Sequence, residues 1–382
     1  MIYFDNAATG GRKPDAVISA VSSAVKLCAN PGRSGHKLSL ACAAVVQNCR
    51  SALSDYFNGW GFERVIFTKN CTEALNIAVF GVLRKGDHVV TTCMEHNSVL
   101  RPLERLKKSG VITYDVCPMT DGNISPERFA SLIKTDTKMA IVTSASNVTG
   151  AIPPLDEIRA AIPESVLLVC DGAQGGGHLP LDMRRTGIDA LALAGHKGMM
   201  GIQGSGALLF SERMNPQSVM FGGTGSESFS LDMPDFYPDA LEAGTLAFPA
   251  VSSLFEGVVY LTAHGGEIRS KLLSMTEYLL SGLKRFPAVR VYSRPNPCGI
   301  VAFEHAAIQS EFLAQELSEV YSIAVRGGLH CAPLMHAALG TQENGLVRVS
   351  LSAFNHKKEI DALLSALKRI GSRPDPACFS VM

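Results

Sequence analysis

Residues 167–174 read "LLVCDGAQ", and residues 189–198 read "DALALAGHKG". Each is a short apolar run that ends abruptly in polar and small residues. That is the pattern of a buried strand delivering a polar group at its carboxyl end. Asp171 closes the first run. A carboxylate placed there needs a cation or hydrogen-bond donors, and a helix cap or an ordinary ion pair would also satisfy it. Lys197 follows the second run. A surface charge in a loop is the plain alternative, but a lysine carried out of a buried strand is partly desolvated. Its pKa then falls, and its amine can form a Schiff base.

Working outward, the same alternation recurs. "DAVISAVSSAVKLC" and "LACAAVVQNCRSALSDYF" carry apolar residues at helical spacing. "RVIFTK", "DHVVTTC", "VITYDVC", "KMAIVTSAS" and "GALLFS" read as strands. "CTEALNIAVFGVL", "VLRPLERLKKSG" and "SPERFASLI" read as helices between them. The series predicts an α/β fold, a mostly parallel mixed sheet flanked by helices, with ligands taken at the carboxyl ends of its strands. Beyond about residue 250 comes a long helix ending in "LKRF". The strands "VRVYSR", "CGIVAFEH" and "LVRVSLSAF" then mix with the helices "SEFLAQELSEVY" and "KKEIDALLSALKRI". This predicts a smaller α+β C-terminal domain. The expected division is 14–255 for the large domain, with 1–13 as an N-terminal arm on a small domain of 256–382.

The chain has 382 residues, 46% of them hydrophobic, enough for a large core and more than one lobe. Lys+Arg and Asp+Glu are 35 each, so the net charge is zero and no basic tract marks a nucleic-acid footprint. No apolar run approaches a membrane span, and "MIYFDNAAT" reads as a strand, not a signal peptide. Ten cysteines show neither C-x-x-C nor zinc-site spacing, so no metal is expected. They read as buried small hydrophobes in a reducing cytoplasm. The tail "GSRPDPACFSVM" holds Cys378 one residue too far from the end for prenylation.

Asp171 and Lys197 together suggest pyridoxal 5'-phosphate (PLP), with the lysine on the aldehyde and the aspartate on the pyridinium nitrogen. "TKNCTEAL" would hold the phosphate at a helix N-terminus, with the Thr72 hydroxyl as a further donor. One cysteine stands apart. Cys331 lies in "VRGGLHCAPLMHAALG", among glycines, prolines and histidines, in what reads as a loop.

The chain resembles the class V aminotransferase group of PLP fold-type I enzymes, and more narrowly a cysteine desulfurase of the SufS-like branch. The resemblance rests on the order and spacing of "YFDNAAT", "NPGRSGH", "FTKNCTEALN", "MEHNSVLRP", "SNVTG", "VCDGAQ", "AGHKG", "LEAGT", "RGGLHCAPLMH" and "VRVSLSAFNHKKEIDALLSAL". It implies that Lys197 binds the cofactor and shuttles a proton. It also implies that Asp171 pairs with the ring nitrogen, Gln174 with the ring hydroxyl, and that His96 stacks on the ring. Asn147 would lie near the ring hydroxyl and the substrate. Cys71, Thr72 and His196 belong to the phosphate region, and Thr245 would reach the phosphate of the partner in a homodimer. Arg348 would grip the substrate carboxylate with its planar fork, with Arg326 and Arg33 at the pocket entrance.

Cys331 would attack the sulfur of L-cysteine, leaving L-alanine and a persulfide for a sulfur acceptor protein. His330, Arg326 or the substrate thiol would favour the attacking thiolate. The short loop around Cys331 resembles that of the SufS-like branch. Several positions depart from the family pattern. Ala194 stands where a serine or threonine precedes Gly-His-Lys, and Cys71 where a threonine is usual. Leu329 replaces a histidine, and "GMMGIQGSG" lacks the usual proline. Three alternatives remain open at this point. These are a selenocysteine lyase or other β-eliminating lyase, an aminotransferase-like enzyme without a cysteine nucleophile, and a non-catalytic scaffold.

Overall fold

The structure is a computed structural model that describes residues 1–27, 29–32 and 34–371. Arg33 and Cys378 therefore lie outside the described residues. A two-residue strand, β1 (Ile2–Tyr3), opens the chain and is followed by α1 (Asp15–Lys26) and α2 (Lys37–Tyr56). Next come β2 (Val65–Thr68), α3 (Cys71–Val82), β3 (Asp87–Thr92), α4 (Asn97–Lys108), β4 (Ile112–Cys117) and α5 (Pro126–Ala130). Then follow β5 (Thr137–Thr143), α6 (Leu155–Ala161), β6 (Leu167–Asp171), α7 (Met183–Thr186), β7 (Ala190–Ala194) and β8 (Gly206–Phe210). Strands β2 to β8 form a seven-stranded sheet of order β2-β8-β7-β6-β5-β3-β4. Only β8 runs against its neighbours. Strands β6 and β7 are buried at every position, which explains their unbroken apolar sequence.

Helix α8 (Phe248–Leu283) leads to the C-terminal part of the chain. There β9 (Val289–Val291), β10 (Ile300–His305), α9 (Ser310–Tyr321), β11 (Ile323–Ala324), α10 (Pro333–Leu339), β12 (Val347–Ser350) and α11 (Lys357–Gly371) follow. Strands β9, β10 and β12 make an antiparallel sheet, and β11 pairs in parallel with β1. Helix α8 is continuous across position 255, so the two lobes share one helix and a continuous buried apolar cluster. Helix α10 falls inside a segment expected to be a loop. Pro333 at its first turn and Gly340, left-handed at φ +70°, bound it.

Strands β6 and β7 end in two loops packed backbone against backbone. A Cβ on Gly198 would stand 2.3 Å from the Gly176 carbonyl, and one on Gly177 would stand 2.2 Å from that of Gly198. These glycines let the loop after Asp171 touch the loop holding Lys197. Gly198→Ala is expected to cost about 2 kcal/mol through this overlap. A thermal melt of the apo-protein checks it, with the exposed helical Gly266→Ala as control, since nothing lies within 4 Å of that Cβ.

Candidate active site

Asp171, at the end of β6, is 2% exposed. Its Oδ1 accepts from the Ala173 amide at 2.9 Å and from the Cys71 thiol at 3.3 Å. The thiol is an unforeseen partner. Burial, then the charge of Asp171, holds Cys71 well above the usual thiol range, so it remains a neutral donor. Across the same pocket, Lys197 follows β7, and no hydrogen bond or ion pair engages its amine among the described residues. Burial lowers its pKa, and Asp171 works in the opposite direction.

At the start of α3, Asn70 caps the helix by accepting from the Glu73 amide at 2.9 Å. The amides of Cys71 and Thr72 are left without intrahelical acceptors, and both residues line the pocket. His196 lines it as well. Its Nδ1 lies 3.1 Å from Thr9 Oγ1, within hydrogen-bond distance. Burial, then Lys197 and Lys13, lowers its pKa to about 4, so it is neutral at pH 7.

His96 caps α4. Its Nδ1 accepts from the Ser98 amide at 3.0 Å and from the Ser98 hydroxyl at 2.8 Å, and Ser98 Oγ lies 2.8 Å from Thr72 Oγ1. Ser98 thus ties the ring-stacking candidate to the phosphate candidate. Sequence reasoning missed it, although its place two residues after His96 at a helix start was a signal. Burial keeps His96 below the usual histidine range. Behind it, Glu95 is wholly buried and pushed up to about 8, chiefly by desolvation. It accepts from the Thr92 hydroxyl at 2.6 Å and the Thr143 amide at 2.9 Å, joining the ends of β3 and β5.

The pocket, about 500 Å³ in volume, brings together Cys71, Thr72, His96, Asn147, Asp171, Gln174, His196 and Lys197. It does not include Thr245, Arg326, Cys331 or Arg348. Arg348 on β12 is 1% exposed and donates to the Asn147 carbonyl at 2.9 Å and to Asp5 Oδ1 at 2.8 Å. Its Nε and the Asn147 Oδ1 are buried without partners. Asp5 was not foreseen, because 343 residues separate it from Arg348. Arg326 pairs backbone to backbone with Arg348, and its charge depresses the pKa of His96, Lys197 and His330.

The N-terminal arm holds several of these groups. Gln174 donates to the Ala7 carbonyl at 3.1 Å. The Gly10 amide and Lys13 Nζ both donate to the His196 carbonyl at 2.9 Å. Burial brings Lys13 down to about 8.

Cys331 is the exposed cysteine among the described ones; the other seven are buried. His330 and Cys331 have φ of +51° and +56°, and the Ala332 amide donates to the Leu329 carbonyl at 3.1 Å. This left-handed turn costs roughly 1 kcal/mol for each residue with a Cβ. Two clamps hold it: Asn147 Nδ2 donates to the His330 carbonyl at 2.7 Å, and the Asn97 amide to the Cys331 carbonyl at 2.8 Å. His330, expected to favour the thiolate, has no positive charge to bring to it. Its ring is buried, with Nε2 on the Leu346 carbonyl at 3.0 Å. Desolvation, with Arg348 and Arg326, pushes its pKa to about 2, so it is neutral.

Thr245 is exposed in the loop before α8, facing a different cavity. That loop is pinned by Glu242, which takes Arg50 in a fork at 2.9 and 2.6 Å and accepts from the Phe67 amide at 2.6 Å. No cluster of metal-binding side chains occurs among the described residues. Nor is any helix among them long and apolar enough to cross a membrane.

The family model described as aminotransferase class-V matches residues 2–363. A probable cysteine desulfurase of Methanothermobacter thermautotrophicus is 33% identical over 381 residues, covering 97% of this chain and 94% of its own. One from Synechocystis is 30% identical, covering 96% and 90%. Among solved structures, the apo cysteine desulfurase of Thermococcus onnurineus matches with a TM-score of 0.88 at 29% identity, covering 97% and 94%. The cysteine desulfurase CsdA (S-sulfonic acid) of Escherichia coli gives 0.86 at 27%, covering 96% and 94%.

Proposed function

This chain belongs to the class-V aminotransferase family and is an enzyme of the cysteine desulfurase kind, and from that premise we propose that Cys331 takes the sulfur of L-cysteine as a persulfide while the pocket of Lys197 holds PLP. The observation that carries the assignment is the placement of Cys331. It is exposed, its carbonyl is clamped by the residue next to His96, and it borders a groove that shares Thr72, His96 and Ser98 with the pocket.

The residues present suit PLP. The unpartnered Lys197 amine suits an aldehyde, and the free amides of Cys71 and Thr72 with a ring N–H of the neutral His196 suit a phosphate. Asp171 suits a protonated ring nitrogen, and Gln174 and Asn147 suit the ring hydroxyl. When bound, PLP supplies an electron sink that makes the carbon–hydrogen and carbon–sulfur bonds of cysteine breakable.

The chain's own groups do the rest. Asp5 and the Asn147 carbonyl hold the Arg348 guanidinium in orientation behind Asn147, and this is the group that would take the substrate carboxylate. Lys197 Nζ, its pKa lowered by burial, accepts a proton at neutral pH more readily than an exposed lysine does. Neutral His96, fixed with Nδ1 as acceptor, presents Nε2–H to the pocket. Cys331 Sγ attacks the substrate sulfur: the S–S bond forms as the carbon–sulfur bond of the substrate breaks, the electron pair of that bond stays with the carbon skeleton, and this takes up a proton and leaves as alanine.

Thr245 is exposed and outside its own chain's pocket, which supports a homodimer in which it serves the partner's phosphate site. The test of the function is mass spectrometry after incubation with L-cysteine and PLP. A gain of one sulfur on the peptide carrying Cys331, with one alanine released, is expected. Sulfur on another cysteine, or none, overturns the assignment.

A further inference from the structure

We infer that the groove beside Cys331 is a docking site for the sulfur acceptor, and that it selects a thiol carried on an extended acidic peptide segment. This rests on the reading of Cys331 as the persulfide carrier. The groove, about 780 Å³, lies between two rows of side chains spaced four residues apart. Thr72, Asn76 and Phe80 come from one face of α3, and Asn97, Arg101 and Arg105 from one face of α4. Cys331 stands at the end where both helices begin, held there by the Asn97 amide.

The lining is electrostatically one-sided. It contains Arg101 and Arg105 and neither Asp nor Glu. Both arginines are exposed, and neither side chain has a carboxylate partner among the described residues. By contrast, Lys108 on the same helix is paired with Glu104 at 3.5 Å. Two unpaired guanidinium groups beside a sulfur donor call for anionic partners.

The spacing specifies the ligand further. One helical turn of four residues advances about 6 Å, from Asn97 to Arg101 and again to Arg105. An extended chain advances about 3.3 Å per residue. A cysteine placed at Cys331 therefore sets carboxylates two and four residues away opposite the arginines. Phe80 gives the segment an apolar wall.

The transfer itself balances without any further reagent. The acceptor thiolate attacks the terminal sulfur of the Cys331 persulfide. A new acceptor S–S bond forms and the bond from that sulfur to Sγ breaks. Its electron pair leaves with Sγ, Cys331 returns to thiolate, and the terminal proton stays on the transferred sulfur. No net oxidation occurs.

The test uses full-length holoenzyme whose Cys331 persulfide has first been quantified by mass spectrometry. Sulfur transfer is then timed to the peptide Glu-Ser-Glu-Ser-Cys-Ser-Glu-Ser-Glu and to its all-Gln counterpart. The acidic peptide is expected to react about tenfold faster at low salt, with the advantage shrinking as salt rises. The double variant Arg101→Gln/Arg105→Gln is expected to abolish the preference. Equal rates with the wild type, or a preference that survives in the double variant, overturns the inference. Binding of the labelled acidic peptide with serine in place of cysteine, read by fluorescence anisotropy, needs no persulfide. Absence of sulfur on Cys331 with charge-dependent binding intact would sink the catalytic reading alone. Equal binding to wild type and double variant would sink the groove.

Discussion

Replacing Cys331 with alanine is expected to lower alanine formation from L-cysteine by about a hundredfold, a loss of roughly 3 kcal/mol in barrier stabilisation. Cofactor binding should persist, because the groups that suit PLP lie in the pocket from Cys71 to Lys197 and Cys331 is not among them. A carbon–sulfur bond breaks poorly unless a nucleophile accepts the sulfur. Selenocysteine should suffer less, since its selenol is more acidic and its carbon–selenium bond weaker. The comparison is Cys331→Ala against wild type, with both substrates, at equal PLP occupancy. Unchanged cysteine turnover would remove Cys331 as nucleophile. Equal failure with both substrates would assign it to binding or to the shape of the turn. Cys331→Gly separates these, because it relieves the left-handed strain while still lacking the thiol.

The larger loss is expected for Lys197→Ala. Removing both the anchoring amine and the proton carrier should cut turnover by about a thousandfold or more. Lys197→Arg should not restore it, since a guanidinium does not give up its proton in the pH range of the assay. Alanine release and the PLP retained after gel filtration are the measurements. Borohydride reduction of the wild type should fix PLP to the peptide containing Lys197. Cofactor fixed to another lysine would overturn the assignment.

The strand–helix order was legible because β6 and β7 are buried on both faces and therefore apolar throughout. Asp171 and Lys197 stood out for the same reason, as polar residues directly after such runs. The pairs that complete the site carry no local signal. Asp5 meets Arg348 across 343 residues, and Ala7 meets Gln174 across 167. The neutrality of His330 was illegible because it follows chiefly from burial, which no local pattern marks, and then from Arg348 on another strand and Arg326 four residues before it. Ser98 and α10 are different. The place of Ser98 in the first turn of α4, and Pro333 with Gly340, were visible marks that the loop-like composition around them masked.

The clasp formed by the N-terminal arm has a consequence for biosynthesis. Residues 5–13 leave the ribosome well before their partners, which include Gln174, His196 and, later still, Arg348 and Ser350. The sheet that ends at Phe210 can assemble while translation continues. The arm cannot settle until β12 has been made, and such closure between distant parts of a chain is slow. During that interval the pocket exists without Arg348, the group proposed to hold the substrate carboxylate. Competence thus waits for β12, and a chain released before that strand holds Lys197 without the proposed grip of Arg348 on substrate.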